Sequence, residues 1–574
     1  MKKSYFLIAA ALTSLIEILN AQSPDWLWAK AIGGTSDDRC YSIAIDPTNG
    51  DVYTTGSFWG TADFDPGAGV FNLTSISQDD IFISKLDSSG NFVWAKAING
   101  MGSNIGRSIA VDPAGSGDVY TTGEFGGTVD FDPGPGVFNL TAPGATLEAF
   151  ISRWNASGNF VWAKQMGGTD NEGGFSIAID PSGSGDVYTT GMFWGTADFD
   201  PGAGVYNLTS VAYGDIFISK LDSSGNFKWA KAMGGIVGEY GHSLALDPSG
   251  SGDVYTTGSF GVTVDFDPGA GVFNLTSAGG DDIFISKLDS SGNFVWTKSI
   301  GGVAGNDYGN SIAIDLAGSG DVYTTGIFVG TVDFDPGVGV FNLNSTGQDD
   351  IFISKLDSSG NFVWAKAIGG TSFDVGESIA IDPSGSGDVY ITGHFYGTVD
   401  FDPDSGVYNL TGSGAFISKL NSSGNFVWAK GVNGSSGKSM ALDNMGKMYV
   451  AGFFWDSIAN FDSTIIINAG TWDIFVAKLD TMTTVTGNNE IENFSKGIFV
   501  FPNPTSNHFT IALGSNNKNI LVVITDVTGK IIYTATTIET RNIKVDTKGF
   551  AEGIYIVRIQ SADFTETRKL MVVK

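Results

Sequence analysis

Along most of the chain, apolar and polar residues alternate in stretches of five to eight residues, and each stretch ends in Gly, Asp, Asn or Ser. "SIAID", "DVYTTG", "DIFISKL" and "FVWAKAIGG" are the recurrent forms. A period of two, enrichment in Ile, Val, Tyr, Phe and Thr, and turn residues at both ends predict β-strands. "DPSGSGD" and "LDSSGN" predict tight hairpin turns, with Gly at positive φ and Asp or Asn bonding its own backbone.

The four forms return in the same order. Trp-Ala/Thr-Lys begins at Trp28, Trp94, Trp162, Trp229, Trp296, Trp364 and Trp428, with spacings of 66, 68, 67, 67, 68 and 64 residues. "SIAID" and its variants begin at Ser42, Ser108, Ser176, Ser243, Ser311, Ser378 and Ser439. Each repeat therefore predicts a four-stranded meander, and seven copies predict an all-β, seven-bladed β-propeller that hides its sheet edges in a ring. The ends are complementary: the chain begins with an unaccompanied fourth strand, "DWLWAKAIGG", and the last repeat stops after its third, "DIFVAKLD". An N-terminal strand latch is expected to close the ring.

The pattern "SIAIDPSGSGDVYTTG", "DIFISKLDSSGNFVWAKAIGG" resembles the SBBP family of β-propeller repeats over about residues 26 to 479. The resemblance implies a fold and an extracellular setting, and brings no catalytic residues with it. Residues 480–497 read as a polar linker. Beyond it, 498–574 holds alternating segments such as "ILVVITDV" and "GIYIVRI", which predict a small β-sandwich. "FPNPTSN", "DVTGK", "GIYIVRI" and the basic end "KLMVVK" resemble the type A C-terminal sorting domain of the type IX secretion system. That resemblance implies a partner, the type IX machinery, and a secreted or outer-surface destination. Residues 1–21 read as a signal peptide cleaved after Ala21, and 22–479 as the propeller. No transmembrane segment is expected in the mature chain.

Composition sharpens this picture. Eighty Gly among 574 residues, with 41 Phe and 13 Trp, disfavour long helices. The net charge of -30 excludes nucleic acid as a partner, because the phosphate backbone would be repelled. The tail is different, with nine Lys or Arg against six Asp or Glu. Cys40 is the single cysteine, so no internal disulfide forms, and it reads as a small loop residue.

Candidate chemistry is sparse. "DFDPG" recurs at Asp63, Asp130, Asp198, Asp265, Asp333 and Asp400. Residues two apart on a strand face one way, so each of these pairs with Asp65, Asp132, Asp200, Asp267, Asp335 or Asp402 while the Phe between points inward. Asp before Pro-Gly reads first as turn chemistry, and calcium is the cation such pairs would take as a second role. No other cofactor is expected. Positions where the copies disagree are the better guide to a ligand. Trp59, Trp194, Tyr396 and Trp455 alternate with Gly and Val at one position and could stack on a glycan or a protein. The inter-blade loops "TSDDRCY", "MGSNIGR", "TDNEGGF", "IVGEYGH", "VAGNDYGN", "TSFDVGE" and "GSSGK" also vary, on the same face. His242, His394 and His508 lie at unlike places and read as surface or loop residues. The expectation is an exported, non-enzymatic binding, adhesion or scaffold module. A carbohydrate-active lyase or hydrolase using acids of the variable face is the alternative, and a purely structural exoprotein the third reading.

Overall fold

A computed structural model describes residues 24–315, 319–481, 498–501, 508–526, 529–560 and 565–572. The expected signal peptide, residues 1–21, and all but the first two residues of the expected 480–497 linker lie outside the described residues. The chain divides into two compact units, Met1–Met482 and Thr483–Lys574. Among the described residues no helix is long and apolar enough to cross a membrane.

In the first unit the strand-forming stretches pair in the order in which they are written. Asp38–Ile45, Val52–Phe58, Asp80–Leu86 and Phe92–Gly100 form one antiparallel sheet, counted here from inner to outer strand. Equivalent sheets follow with inner strands Ile105–Val111, Glu172–Ile179, Tyr240–Leu246, Tyr308–Ile314, Val375–Ile381 and Ser435–Leu442. The last sheet receives its outer strand from the start of the chain: Trp26–Gly34 pairs antiparallel with Asp473–Leu479, Ala29 opposite Ala477. Successive inner strands lie side by side, and Asp38–Ile45 touches both Ile105–Val111 and Ser435–Leu442. The arrangement is all-β and propeller-like.

The core is divided accordingly. Apolar clusters sit between successive sheets, one of them combining Ile43, Phe58, Phe64 and Phe82 with Tyr449, Ala451 and Ile474 of the last sheet. Each cluster buries the aromatic payload of two sheets at once, which is why removing one face would strand the other.

Two features go beyond a four-stranded meander. The connection carrying "DFDPG" folds into a short hairpin, Thr61–Asp63 with Asn72–Thr74. This hairpin pairs with the outer strand of the preceding sheet, Asp63 opposite Gly33 and Ala62 opposite Gly34. The same crossing recurs where Asp130 faces Asn99 and Asp198 faces Gly167. At the opposite end of each sheet the outer-strand Trp reaches forward. Trp94 Nε1 donates to Ala156 O at 3.2 Å, in the hairpin turn of the next sheet, and its ring meets Tyr53 edge-on at 6.1 Å.

The second unit is an antiparallel sheet built on one long strand, His508–Asp526, which pairs with Ile498–Phe501, Ile531–Asp546 and Gly553–Gln560. Thr565–Val572 extends it. Alternate residues Phe509 and Ile511, Val522 and Ile524, and Val557 and Ile559 are buried together, as the period of two requires.

Candidate functional site

The inner strands supply the site. Each carries a β-bulge one residue before the repeated serine, between Cys40 and Ser42 in the first copy and between Gly437 and Ser439 in the last. The serines are structural. Ser42 Oγ accepts the Ile109 N–H, Ser108 the Ile177 N–H, Ser176 the Leu244 N–H, Ser243 the Ile312 N–H, Ser311 the Ile379 N–H and Ser378 the Met440 N–H, at 3.2 to 3.3 Å. The seventh bond runs from Ile43 N–H to Ser439 Oγ at 3.2 Å, so the series returns to its start.

A bulge leaves one residue unpaired and re-aims its side chain. Here those residues are Tyr41, Arg107, Phe175, His242, Asn310, Glu377 and Lys438, and they line a cavity of about 480 Å³ together with the serines. Seven copies thus present seven different side chains at one register. These are the final residues of the seven variable loops, and their convergence was hidden because "SIAID" alternates as a regular strand does.

Charge in the cavity is paired. Arg107 Nη2 lies 2.5 Å from Glu124 Oε1, and its guanidinium sits over the Tyr41 ring at 5.3 Å. Lys438 Nζ pairs with Glu377, whose Oε1 is also 3.5 Å from His394 Nδ1. Burial pushes His242 down to about 4, against the opposing pull of its bond to Gly309 and of Glu377. Burial likewise lowers His394. At neutral pH both imidazoles are uncharged and offer one donor and one acceptor each. The expectation of two unrelated surface histidines is corrected: both sit on strands, and Glu377 acts on both. His508 begins a strand of the second unit.

Cys40 is likewise corrected from loop to inner strand. It is fully buried, and desolvation raises its thiol to about 12, which makes it an inert core residue.

The variable aromatics occupy separate places. Trp59 is 50% exposed and borders a cavity of about 230 Å³ with Asp37, Arg39, Gln78 and Asp79. Trp194 is half-buried against Tyr213, Tyr396 stands by His394, and Trp455 stands by Phe453. Sequence reasoning missed Trp472, which stacks on Phe453 at 5.1 Å and carries the Arg39 guanidinium at 3.9 Å. It directly precedes the repeated Asp-Ile-Phe, where other copies hold Asp79, Gly214, Asp281 and Asp349, and only the fold brings it to Arg39 and Phe453.

The DFDPG carboxylates face backbone amides. Asp63 Oδ1 accepts the Asp65 and Phe71 N–H groups at 3.0 and 2.8 Å, and Asp65 Oδ1 accepts the Gly67 N–H at 2.8 Å. Phe64 between them is fully buried. Asp130 with Asp132, Asp198 with Asp200, Asp265 with Asp267, Asp333 with Asp335 and Asp400 with Asp402 repeat the first bond. Among the described residues no group of three or more His, Cys, Asp or Glu is gathered as a metal would require.

Residues 499–573 match the family described as the secretion system C-terminal sorting domain. The tail is a sorting domain. It directs the protein through type IX secretion to the cell surface or beyond it. A WD repeat-containing protein of Acanthamoeba polyphaga mimivirus is 25% identical over 548 residues, covering 79% of this chain and 38% of that one. Regulatory protein FlaEY of Caulobacter vibrioides is 24% identical over 230 residues, covering 39% of this chain and 22% of that one. The chain therefore spans well under half the length of these curated relatives. Among solved structures it is similar to Sqt1 from Chaetomium thermophilum, with TM-score 0.39 and 11% identity, covering 77% and 98% of the two chains. The Dos1 propeller gives TM-score 0.37 and 10% identity, covering 79% and 94%.

Proposed function

We propose that the first unit is a seven-bladed β-propeller latched by Trp26–Gly34, and that the exported protein is a non-enzymatic binding module, with the cavity lined by the seven bulged residues as its recognition site. The observation that carries this reading is the contrast at adjacent positions. Seven identical serines hold the ring, while the residue before each differs in every blade. Scaffold needs explain the first and not the second. Binding is favoured over turnover because the cavity cations Arg107 and Lys438 are each engaged by a carboxylate, Glu124 and the cavity-lining Glu377, which suits fixed recognition better than proton transfer. Paired charges, the neutral His242 imidazole, an amide and aromatic rings fit a neutral, hydroxyl-rich ligand, so a glycan is the class proposed.

The test is a glycan array on the full chain, with and without calcium, comparing the wild type with Arg107→Gln and Lys438→Gln. Binding by the wild type that both variants lose, at unchanged melting temperature, supports the cavity. Equal binding by all three places recognition elsewhere, with Trp59, Trp194, Tyr396 and Trp455 the next positions to change. No binding under any condition supports the purely structural reading.

A further inference from the structure

Behind the cavity, where one blade meets the next, pairs of carboxyl groups are buried against each other. The first residue of the inner strand, or the one just before it, three positions before the bulge, contributes one acid: Asp38, Glu172, Glu239, Asp307 and Asp374. The third strand of the preceding blade contributes its first or second residue: Asp473, Glu148, Asp215, Asp282 and Asp350. All ten are at most 2% exposed. Glycine in the neighbouring outer strand makes room for them. A Cβ at Gly234 would lie 2.0 Å from Asp215 Cγ, and one at Gly301 would lie 2.0 Å from Asp282 Cγ.

Amide groups occupy part of each carboxyl group, from the backbone in nine of them and from the Gln165 side chain in Glu148. Asp307 Oδ1 accepts from Val329 N–H and Oδ2 from Gly302 N–H, while Asp282 Oδ2 accepts from Ala278 N–H. One oxygen of every third-strand partner is left without a hydrogen bond: Oδ1 of Asp473, Asp215, Asp282 and Asp350, and Oε1 of Glu148. A buried acceptor with no donor is costly, and two adjacent buried carboxylates cost more.

The junction between the first two blades shows what belongs there. Its inner-strand residue is Asn104, an amide in place of the acid. Asn104 Oδ1 accepts the Gly126 N–H, as Asp307 Oδ1 accepts that of Val329. Asn104 Nδ2 then donates to Asp80 Oδ1 at 2.9 Å, beside the Gly100 N–H at 3.0 Å. Asp80 Oδ1 is the atom that has no partner in Asp215, Asp282, Asp350 and Asp473. An N–H at this junction thus stands where the five acid–acid junctions offer only oxygen.

From this geometry we infer that each of these five junctions binds one proton, shared between its two carboxyl groups as an O–H···O bond, so that folding and blade closure consume protons. The inner-strand acid carries the hydrogen and the third-strand acid accepts it, with one negative charge left per pair. The other charged groups that act on the pairs are carboxylates too: Asp37 on Asp38, Asp170 on Glu172, Asp281 on Glu239 and Asp282, and Asp349 on Asp307 and Asp350. They add repulsion and favour holding the proton. Burial first, and the facing carboxylate second, raise Glu239 to about 8 and Glu172 to about 9. Burial takes Asp38, Glu148, Asp215 and Asp307 to about 7. A group whose folded pKa is raised stabilises fully below the unfolded value, and that stability is lost as pH rises through the folded value. The window here runs from about 4 to about 9.

Thermal melting of the full chain at pH 5 and pH 8.5 tests this, using the wild type, Asp307→Asn, Asp374→Asn and the reverse change Asn104→Asp. The wild type is expected to melt lower at pH 8.5. Each Asn variant should lose about a fifth of that drop, and Asn104→Asp should enlarge it. Asn variants that melt lower at both pH values with the wild-type slope overturn the inference. So does a wild-type drop abolished at pH 8.5 by millimolar calcium, because a cation would then sit where the proton is placed. An independent reading is the infrared carbonyl band of protonated carboxyl groups in the wild type. It should be present at pH 6 and gone at high pH, and its absence at pH 6 overturns the inference regardless of how the variants fold.

Discussion

The two ends of each blade handle buried charge in opposite ways. At the end carrying the hairpin turns, Lys220 pairs with Asp186 at 2.9 Å and lies 4.7 Å over Tyr188, a unit repeated by Lys287 with Asp253 and Lys355 with Asp321. At the loop end, acid meets acid. The first arrangement satisfies charge within a blade and leaves blade-to-blade contact to Trp rings. The second places the titrating groups on the seam itself. One repeat therefore has a pH-indifferent end and a pH-responsive end, and the responsive end adjoins the cavity.

The largest blow to the indifferent end is Trp94→Ala. It deletes a ring packed on Tyr53 and the bond to Ala156 O, and about 3 to 4 kcal/mol of stability should go, read by urea unfolding. The loss should be equal at pH 5 and pH 8.5. A loss confined to one pH would erase the distinction between the ends. Next comes Asp186→Ala, which leaves the Lys220 ammonium desolvated and should cost about 2 to 3 kcal/mol. Burial alone would lower Lys220, yet Asp186 and Tyr188 together raise it above its ordinary value. Its contribution is therefore present below about 10 and fades only above that, so the wild-type-to-variant difference should be flat from pH 5 to pH 9. The smallest effect belongs to Asp63→Ala. Loss of two bonds to backbone amides, one part-buried and one exposed, should cost about 1 kcal/mol, and chelator should leave the melting temperature of both proteins unmoved. Destabilisation by chelator that the variant escapes would instead make the Asp63 pair a calcium site.

The strands and turns were legible because their signals are local. Val52–Phe58 and Asp80–Leu86 carry period-two patterns, and Asp87 to Asn91 carries the turn chemistry that the structure shows. The destination of the DFDPG hairpin was not, since Asp63 meets Gly33 through tertiary placement of another sheet. The bulge before Ser42 was hidden for a different reason, because one extra residue does not disturb an alternating pattern read one strand at a time. The inner-strand acids of the seams fell in the variable inter-blade loops, where they read as acids of a ligand-facing surface. Asp38 and Glu172 are of types almost always found in water, and residue type alone gives no sign that the next blade covers them. Asn104, standing where five copies have an acid, was the one visible clue.

The bulged register has a consequence for how such a protein can change over time. Its serine neighbour and the amide of the following blade fix the backbone whatever side chain stands at the bulge, as Tyr41, Arg107 and Glu377 already demonstrate on one framework. Seven independent letters can therefore be rewritten by single codon changes while the spelling of the scaffold stays fixed, and duplication of a blade would lengthen the word by one.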